Sequence, residues 1–409
     1  MGECKIYGGA PLYGEVAING CKNGALPLLF ATILTEDECT LLNVPDIGDI
    51  RLAIRILREM GARVDVWERN TLKVCTKDLT PDYIPSELTS CIRASSYLLG
   101  ACLARFGRVD ALTTGGCDFG NRPLDCHFRV FREMGVEGET CLRVESGLHG
   151  CHHIFSQVSV GATVNALLLA SSVEEMVELE GCAVEAHVVD LERFLERMGV
   201  EIEGVGTPHL KIRGTKKRRG TTFVVSPDDI EAGTYLCAAH ACGGKLTVTE
   251  VKPKRLLPIL APLQRMGAEI FCQSDRVTLT SKGKIYPTRV ITAPSPGFPT
   301  DMHPPLAALM CFAEGESVIE ERVWQHRFRY TEELVKMGAK FQVDGQSLTI
   351  MPAPLTGADV KATDLRGGAA LVVAALGARG RTSIGSWDYL ERGYEDMPRK
   401  LRQVGADII

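Results

Sequence analysis

A short pattern that recurs six times along the chain constrains the fold more than any other feature of the sequence. Each copy ends in Met or Val, then Gly, then Ala or Val, and the first copy is Arg58-Glu-Met-Gly-Ala62. The six glycines are 64 to 74 residues apart and are Gly61, Gly135, Gly199, Gly267, Gly338 and Gly405. Six modules of about 68 residues therefore tile the 409-residue chain.

Each module is predicted to contain two helices of different character. An amphipathic run such as Ile50–Met60 precedes the recurring glycine, which suits the positive φ that often follows a helix C-terminus. Short alternating runs such as Thr71–Val74 follow the glycine and predict strands. Upstream of each glycine, a polar or glycine-rich loop leads into a second helix, which is nearly all apolar in five of the six modules and is therefore buried on most sides. The sequence thus predicts α/β modules with one buried helix and one outer helix.

The loops that precede the apolar helices carry a set of charged residues. Helix N-termini expose unpaired N–H groups and a partial positive charge, so six of them can converge on one anionic ligand. Ordinary N-capping is the alternative for Ser159, Asp228 and Thr363. Capping does not require a cation, so the basic members of the set are the more informative ones. The charged residues of the loops include Lys22, Arg93, Asp301, Asp364 and Arg366.

Composition excludes several classes of protein. With 45% hydrophobic residues the chain is not mainly disordered, and the near-apolar run Ala369–Ala378 is far shorter than the roughly 20 residues of a membrane span. The first residues contain no basic segment followed by an apolar stretch, so we expect no signal peptide and a cytoplasmic location. The net charge of −5 argues against a general nucleic-acid binder.

One of the fifteen cysteines has unusual surroundings. Cys117 lies among three glycines in the loop Gly115–Pro123, and the guanidinium of Arg122 would favour its thiolate. The other cysteines are expected to be free thiols in a reducing compartment, as packing or surface residues. Neither Cys151-His-His153 nor the group Cys237, His240 and Cys242 has the spacing of a metal site. No phosphate-binding glycine motif is present, so no ATP or NAD site is expected. With the Cys/His spacing, this means that we expect neither a metal nor a cofactor.

Eight motifs in register carry a resemblance that covers essentially the whole chain. They are Gly20–Pro27, Arg93–Ser95, Gly115–Pro123, Ser159–Thr163, Phe298–Met302, Arg327–Phe328, Ala362–Arg366 and Arg392–Glu395. With these motifs the chain resembles the UDP-N-acetylglucosamine 1-carboxyvinyltransferase family of the EPSP synthase superfamily. The Gly115–Pro123 loop is the specific element, since shikimate-type relatives lack it.

The resemblance implies a two-domain inside-out α/β barrel built from six βαβαββ-like modules, three in each domain. Residues 1–20 and 228–409 would form the catalytic domain, and residues 21–227 a second domain that carries the Cys117 loop. The implied reaction transfers the enolpyruvyl group of phosphoenolpyruvate to the 3′-hydroxyl of UDP-N-acetylglucosamine and releases phosphate. This is the first committed step of bacterial peptidoglycan synthesis. These two small molecules are the expected partners, with no nucleic acid, membrane or obligate protein partner.

The resemblance also implies roles for particular residues. Cys117 would be the general acid, which also forms a covalent adduct with phosphoenolpyruvate and is alkylated by fosfomycin. Asp301 would be the base for the sugar hydroxyl, and Asp364 would assist proton transfer. Phosphate would be bound by Lys22, Arg122 and Arg392, and the basic site would be completed by Arg93, Arg327 and Arg366. The nucleotide-sugar would contact Asn23, Arg122, Pro123, Leu124, Asp125, Ser159, Val160, Gly161, Asp301 and Val323.

Several positions depart from the family pattern and leave the acceptor open. His303 stands where Gln is usual, Glu391 replaces Asp, Asp229 replaces a basic residue, and the third module has Ala183-Val-Glu-Ala-His187 where the family has Ala-Arg-Glu-Pro-Glu. One alternative is an enolpyruvyl transferase that acts on a different nucleotide. Another is a binding or regulatory protein without turnover, which the intact Lys22, Cys117 and Asp301 disfavour. For Asp364 and Arg392, a helix cap and a surface ion pair with Glu391 or Glu395 are the respective alternatives.

Overall fold

The six recurring glycines end helices, as predicted. The computed structural model describes residues 2–68, 70–81, 83–110, 115 and 124–409. All six glycines have φ between 93° and 106°, a conformation that costs a residue with a Cβ more than it costs glycine. The helices that precede them are Gly48–Glu59, Asp125–Glu133, Ala186–Met198, Pro253–Arg265, Tyr330–Lys336 and Met397–Gln403.

The module that contains Gly338 shows the common architecture, a βαβαββ sequence as predicted. Its first strand pairs in parallel with the second, and the fourth strand pairs antiparallel with both the second and the third. The sheet order is therefore first, second, fourth, third. A single 3₁₀ turn, Thr300–Met302, precedes the buried helix. The elements in chain order are Arg289–Ile291, His303–Met310, Ser317–Glu320, Tyr330–Lys336, Lys340–Asp344 and Ser347–Met351.

The described residues divide into two compact units, each containing three modules. The first unit comprises residues 2–19 and 227–409, and the second comprises the described residues between 20 and 226. Besides the Gly338 module, the first unit contains the Gly267 and Gly405 modules, with the same sheet order. Their elements are Leu12–Ala17, Asp229–Cys242, Gly244–Thr249, Pro253–Arg265, Glu269–Cys272 and Arg276–Ser281, then Asp359–Lys361, Leu365–Gly377, Gly380–Gly385, Asp388–Glu391, Met397–Gln403, Asp407–Ile408 and Glu3–Gly8.

The second unit contains the Gly61, Gly135 and Gly199 modules. The Gly61 and Gly199 modules have the same four-stranded order, and the described part of the Gly135 module has a two-stranded sheet. The Gly61 elements are Thr222–Val224, Lys22–Ala31, Thr32–Leu34, Cys39–Leu42, Gly48–Glu59, Arg63–Glu68 and Thr71–Cys75. The Gly135 elements are Ser86–Thr89, Arg93–Ser96, Tyr97–Phe106, Arg108–Asp110, Asp125–Glu133 and Cys141–Arg143. The Gly199 elements are His152–Ile154, Val160–Ala170, Met176–Glu180, Ala186–Met198, Glu201–Glu203 and His209–Arg213.

Three modules are completed by strands that are distant in the sequence, and one of them is the Gly405 module, in which Glu3–Gly8 pairs antiparallel with Gly380–Gly385 and Asp407–Ile408. Leu12–Ala17 pairs in parallel with Gly244–Thr249, and Thr222–Val224 pairs in parallel with Cys39–Leu42. The regular spacing of the glycines does not reveal this exchange, because the glycines mark only the outer helices. The spatial modules are therefore displaced along the chain relative to the linear repeat.

Apolar helices form the interior of each unit, as the inside-out arrangement requires. In the first unit Asp229–Cys242, His303–Met310 and Leu365–Gly377 pack on one another, and their aliphatic side chains are almost fully buried. In the second unit Tyr97–Phe106 packs on Val160–Ala170 and on Lys22–Ala31. The described sheets are open, with no closed barrel of strands among them. None of the helices in the described ranges is long and apolar enough to cross a membrane.

Candidate active site

In the first unit, Asp301 lies between two buried arginines. Arg327 donates from Nη2 to Oδ1 of Asp301 at 3.0 Å, and Arg366 donates from Nε to Oδ2 at 3.2 Å. The side chains of Arg327 and Arg366 are only 2% and 4% exposed, whereas that of Asp301 is 28% exposed. The carboxylate is thus the accessible member of a cluster whose cations are fixed in the protein interior.

Local structure explains how the cluster is assembled. Asp301 is in the 3₁₀ turn Thr300–Met302, and Arg366 is the second residue of helix Leu365–Gly377. Nη1 of Arg366 also donates to the hydroxyl of Tyr394 at 3.1 Å, and this hydroxyl lies 2.9 Å from Oγ1 of Thr234. Burial lowers the pKa of Arg366, but the neighbouring Tyr394 and Asp301 outweigh it and leave the pKa raised. Arg366 is therefore a permanent cation at the start of a buried helix.

Asp364 caps the helix that carries Arg366. Its Oδ1 accepts from the backbone N–H groups of Arg366 and Gly367, both at 3.0 Å, and its Oδ2 accepts from the Thr363 hydroxyl. The capping alternative is therefore present in the structure for Asp364, while Thr363 caps nothing itself. Asp228, the third candidate in this unit, caps Asp229–Cys242 through the N–H groups of Ile230 and Glu231.

Arg392 and Val323 complete the predicted residues of the first unit. Arg392 is partly buried and directly follows the helix Asp388–Glu391, two residues before Tyr394. The backbone N–H of Val323 donates to Oε1 of Glu321 at 2.9 Å. Glu321 is a residue that sequence reasoning missed, since an acidic pair after a strand ordinarily indicates a solvent-exposed turn.

In the second unit, Lys22 is the first residue of a buried helix and pairs with a carboxylate. Its Nζ lies 3.1 Å from Oδ2 of Asp49, which is in the first turn of helix Gly48–Glu59. The side chains of Lys22 and Asp49 are 15% and 6% exposed, so Lys22 is the more accessible partner of the pair. Asn23 follows Lys22 and is also partly buried.

A second polar group in this unit surrounds His127. Burial, and then the positive charge of Arg93, lower the pKa of His127 to about 4. Its Nδ1 lies 2.9 Å from Nδ2 of Asn165, so the neutral ring accepts this hydrogen bond. A Cβ at Gly161 would lie 3.0 Å from the His127 ring, so a larger residue at this position would require the ring to shift. The structure thereby brings Arg93 and the Ser159–Gly161 turn to the same histidine.

The remaining predicted residues of this unit are at helix starts or outside the described part of the chain. Ser159 accepts from the N–H of Ala162 at 3.3 Å and caps Val160–Ala170, so the capping alternative is present here too. Leu124 precedes helix Asp125–Glu133 and is partly buried, and Asp125 is exposed. Cys117, Arg122 and Pro123 lie outside the described residues.

The structure also describes the other cysteines and the two Cys/His groups of the sequence. All fourteen described cysteines are free thiols, and burial raises the pKa of Cys39 to about 11 and of Cys102 and Cys311 to about 12. His240 is hydrogen-bonded in the core to Ser281 and to the Met266 carbonyl. His152 pairs with Glu180 on an exposed sheet face, close to Glu178.

Comparison with known proteins gives full-length matches. The family model described as EPSP synthase (3-phosphoshikimate 1-carboxyvinyltransferase) matches residues 6–401. The chain is 41% identical to UDP-N-acetylglucosamine 1-carboxyvinyltransferase of Clostridium botulinum, covering 100% of both chains. It is 43% identical to UDP-N-acetylglucosamine 1-carboxyvinyltransferase 3 of Caldanaerobacter subterraneus subsp. tengcongensis, covering 100% of this chain and 99% of the relative.

Solved structures agree with this assignment. The enolpyruvyl transferase NikO from Streptomyces tendae superposes with a TM-score of 0.88 at 28% identity, over 100% of this chain and 98% of that one. EPSP synthase from Acinetobacter baumannii shares the fold, with a TM-score of 0.76 at 16% identity, over 100% and 99% of the two chains. The chain therefore belongs to the EPSP synthase family of carboxyvinyltransferases, in which its relatives at about 40% identity are UDP-N-acetylglucosamine 1-carboxyvinyltransferases.

Proposed function

We propose that this protein transfers the enolpyruvyl group of phosphoenolpyruvate to the 3′-hydroxyl of UDP-N-acetylglucosamine, with release of phosphate. The observation that carries the proposal is the accessible carboxylate of Asp301 held by Arg327 and Arg366. Full-length relatives at 41% and 43% identity bear the name of this activity. The reaction would be the first committed step of peptidoglycan synthesis, in the cytoplasm.

The reaction requires binding of a trianionic substrate, and the chain supplies cations at helix starts. In this proposal Lys22, Arg122 and Arg392 bind the phosphate, and Arg93, Arg327 and Arg366 complete the basic site. Lys22 and Arg366 are each within the first two residues of a buried helix, where backbone N–H groups add to the attraction for an anion. Arginine also provides paired N–H groups that match phosphate and carboxylate oxygens.

Proton transfers are assigned to three side chains. Asp301 accepts the proton of the attacking sugar hydroxyl, for which a positioned carboxylate is a suitable general base. Asp364 assists proton transfer close to Arg366. Cys117 donates a proton to C3 of the enol group, and flanking cations such as Arg122 would lower the pKa of its thiol toward neutral pH.

The nucleotide-sugar is proposed to contact the residues that the family resemblance implies for it. They are Asn23, Arg122, Pro123, Leu124, Asp125, Ser159, Val160, Gly161, Asp301 and Val323. Ser159 and Val160 begin the buried helix Val160–Ala170, and Gly161 lies against the ring of the neutral His127, so backbone N–H groups are available to this end of the ligand.

The test is release of phosphate from purified protein incubated with phosphoenolpyruvate and UDP-N-acetylglucosamine. We expect release that requires both substrates, disappears in Cys117→Ala and Asp301→Ala, and persists in Cys91→Ala, a matched control at an exposed cysteine. Fosfomycin should add its mass to Cys117 alone. Absence of release with both substrates, or modification spread over many thiols, would contradict the proposal.

A second candidate is transfer to a different nucleotide acceptor. The likeness to the enolpyruvyl transferase NikO, and His303 two residues after Asp301, favour considering it. The higher identity to the UDP-N-acetylglucosamine enzymes favours the first candidate. Phosphate release with another nucleotide, but not with UDP-N-acetylglucosamine, would establish the second.

A further inference from the structure

A buried carboxylate next to the Asp301 cluster collects an unusual number of hydrogen bonds. Glu321 is fully buried, at the end of strand Ser317–Glu320. Its two oxygens accept five hydrogen bonds at 2.8 to 3.1 Å. The donors are the hydroxyls of Thr292 and Thr300, Nδ1 of His303, and the backbone N–H groups of Val323 and Trp324.

The donors to Glu321 come from the segments that carry predicted site residues. Thr300 directly precedes Asp301, and His303 follows it by two residues, so Glu321 holds both sides of the turn that presents the base. Val323 is itself a predicted contact of the nucleotide-sugar. Arg327, which donates to Asp301, lies four residues after Val323 in the same segment. One carboxylate thus links the base, its arginine and a substrate contact.

His303 is bound to Glu321 as a neutral ring. It is fully buried, and its ring packs edge-on against Phe328 and Tyr330 at centroid distances of 5.4 and 5.7 Å. Burial lowers the pKa of His303 despite the opposing effect of Glu321. In the described part of the chain its Nε2 has no hydrogen-bond partner, which suits an imidazole whose single proton is on Nδ1. His303 therefore contributes one directed N–H bond.

The charge of Glu321 matches this donor set. Burial raises the pKa of its carboxyl, but the hydrogen bonds from His303, Val323 and Thr292 outweigh burial and leave the pKa below its usual value. Five donors directed at one anion define its position closely, and the anion in turn fixes the position of each donor. An apolar side chain would fill the same space without orienting any of them.

We propose that Glu321 is a positioning residue for the enolpyruvyl transfer. It fixes the turn that carries Asp301 relative to the segment Val323–Arg327, and His303 is one of its hydrogen-bond donors. This inference rests on the proposed function. A displacement of about 1 Å at a reacting group can lower a rate about 100-fold. A loss of this role would therefore lower the rate of a protein that is still folded.

The experiment compares Glu321→Gln with Glu192→Gln in the phosphate-release assay. Glu192 is an equally buried carboxyl that accepts from the Gly206 N–H in the other unit, so its variant controls for loss of a buried acid. We expect Glu321→Gln to fold, to lose about 100-fold in kcat and to raise the KM for UDP-N-acetylglucosamine. Hydrogen exchange at Val323 and Trp324 should become faster. Glu192→Gln should retain wild-type kinetic constants.

A second pair of variants tests the donor and covers the case in which Glu321→Gln fails to fold. His303→Gln keeps an N–H donor and should stay within about threefold of the wild-type kcat, whereas His303→Leu removes it and should lose about tenfold. Equal kcat in these two variants, or wild-type kcat in Glu321→Gln, would overturn the positioning role alone. A wild-type protein without phosphate release would instead overturn the proposed function, together with the role assigned to Glu321 in it.

Discussion

The two units share one architecture but hold their charged residues in different ways. In the first unit, the guanidinium groups of Arg327 and Arg366 are buried and the carboxylate of Asp301 is accessible. In the second unit the order is reversed, since the carboxylate of Asp49 is buried and the ammonium group of Lys22 is the more accessible partner. The same βαβαββ module therefore supports an accessible anion in one unit and an accessible cation in the other.

This difference has a simple physical origin. Lys22 and Arg366 are at the starts of buried helices, and Asp301 is in the turn before one, in positions where an anion is favoured and a cation is disfavoured. The first unit balances its buried cations with Asp301, and the hydroxyl of Tyr394 accepts a further hydrogen bond from Arg366. The second unit balances Lys22 with Asp49 and keeps His127 uncharged beside Arg93. Repeated modules thus provide positions, while neighbouring side chains determine which charged group is accessible.

The largest expected effect comes from removing the accessible anion of the first unit. Asp301→Asn keeps the shape of the side chain but removes the proposed base, and we expect phosphate release to fall about 1,000-fold. Asp49→Asn, the matched change in the second unit, removes only the partner of Lys22 and should cost about tenfold. Steady-state kinetics of both variants makes the comparison. Equal losses would show that the two carboxylates are not functionally different.

The next effect concerns the neutral histidine of the second unit. The folded-state pKa of His127 is about 4, below its ordinary value of 6.5, so between these pH values the unfolded chain binds more protons. Stability is therefore lost as pH falls through this window, by up to about 3 kcal/mol. Hydrogen exchange of helix Asp125–Glu133 at pH 7 and pH 4.5 measures the loss. His127→Gln should show a smaller pH dependence, and an unchanged one would contradict the assignment.

A smaller effect is expected at the accessible cation of the second unit. Lys22→Met retains the aliphatic length of the side chain but removes the charge, and should lower kcat/KM for phosphoenolpyruvate about 30-fold, the equivalent of one charge-assisted hydrogen bond. Lys217→Met, at an exposed lysine of the same unit, is the control. If Lys22→Met leaves the constant unchanged, Lys22 serves only to neutralise Asp49.

The smallest effect separates capping from ligand binding at Ser159. Ser159→Ala removes the hydroxyl that accepts from the Ala162 N–H and should lower the free energy of unfolding by about 1 kcal/mol. Ser274→Ala, at an exposed serine in the first unit, should leave stability unchanged. Thermal denaturation monitors both variants. A Ser159→Ala protein as stable as the wild type would mean that the cap contributes nothing in solution.

Sequence patterns predicted the modules well because each depends on local physics. The six glycines have the positive φ that their position after amphipathic helices indicated. The pairing of Leu12–Ala17 and Thr222–Val224 with distant strands has no local signature, and only the family resemblance implied that residues 1–20 join residues 228–409. The roles of the site residues remain proposals, and Cys117 and Arg122 lie outside the described residues.

Burial patterns also explain which site features were missed. Glu321 follows directly on Glu320, which is bound to exposed arginines, and nothing in the two letters distinguishes a buried carboxylate from an exposed one. His303 was noticed as a departure, but its partner is 18 residues away and is reached only through the fold. The hydrogen-bond partners of buried polar groups are determined by tertiary structure, and so they were found only in the structure.

The strand Glu3–Gly8 pairs with both Gly380–Gly385 and Asp407–Ile408, and this arrangement sets an order for biosynthesis. A strand made among the first residues must wait for partners made among the last. The described residues of the second unit all precede Pro227, so this unit is fully synthesised while the rest of the chain is still being translated. The unit that is inserted in the sequence is therefore the first to be complete on the ribosome, and the unit that encloses it in the sequence is the last.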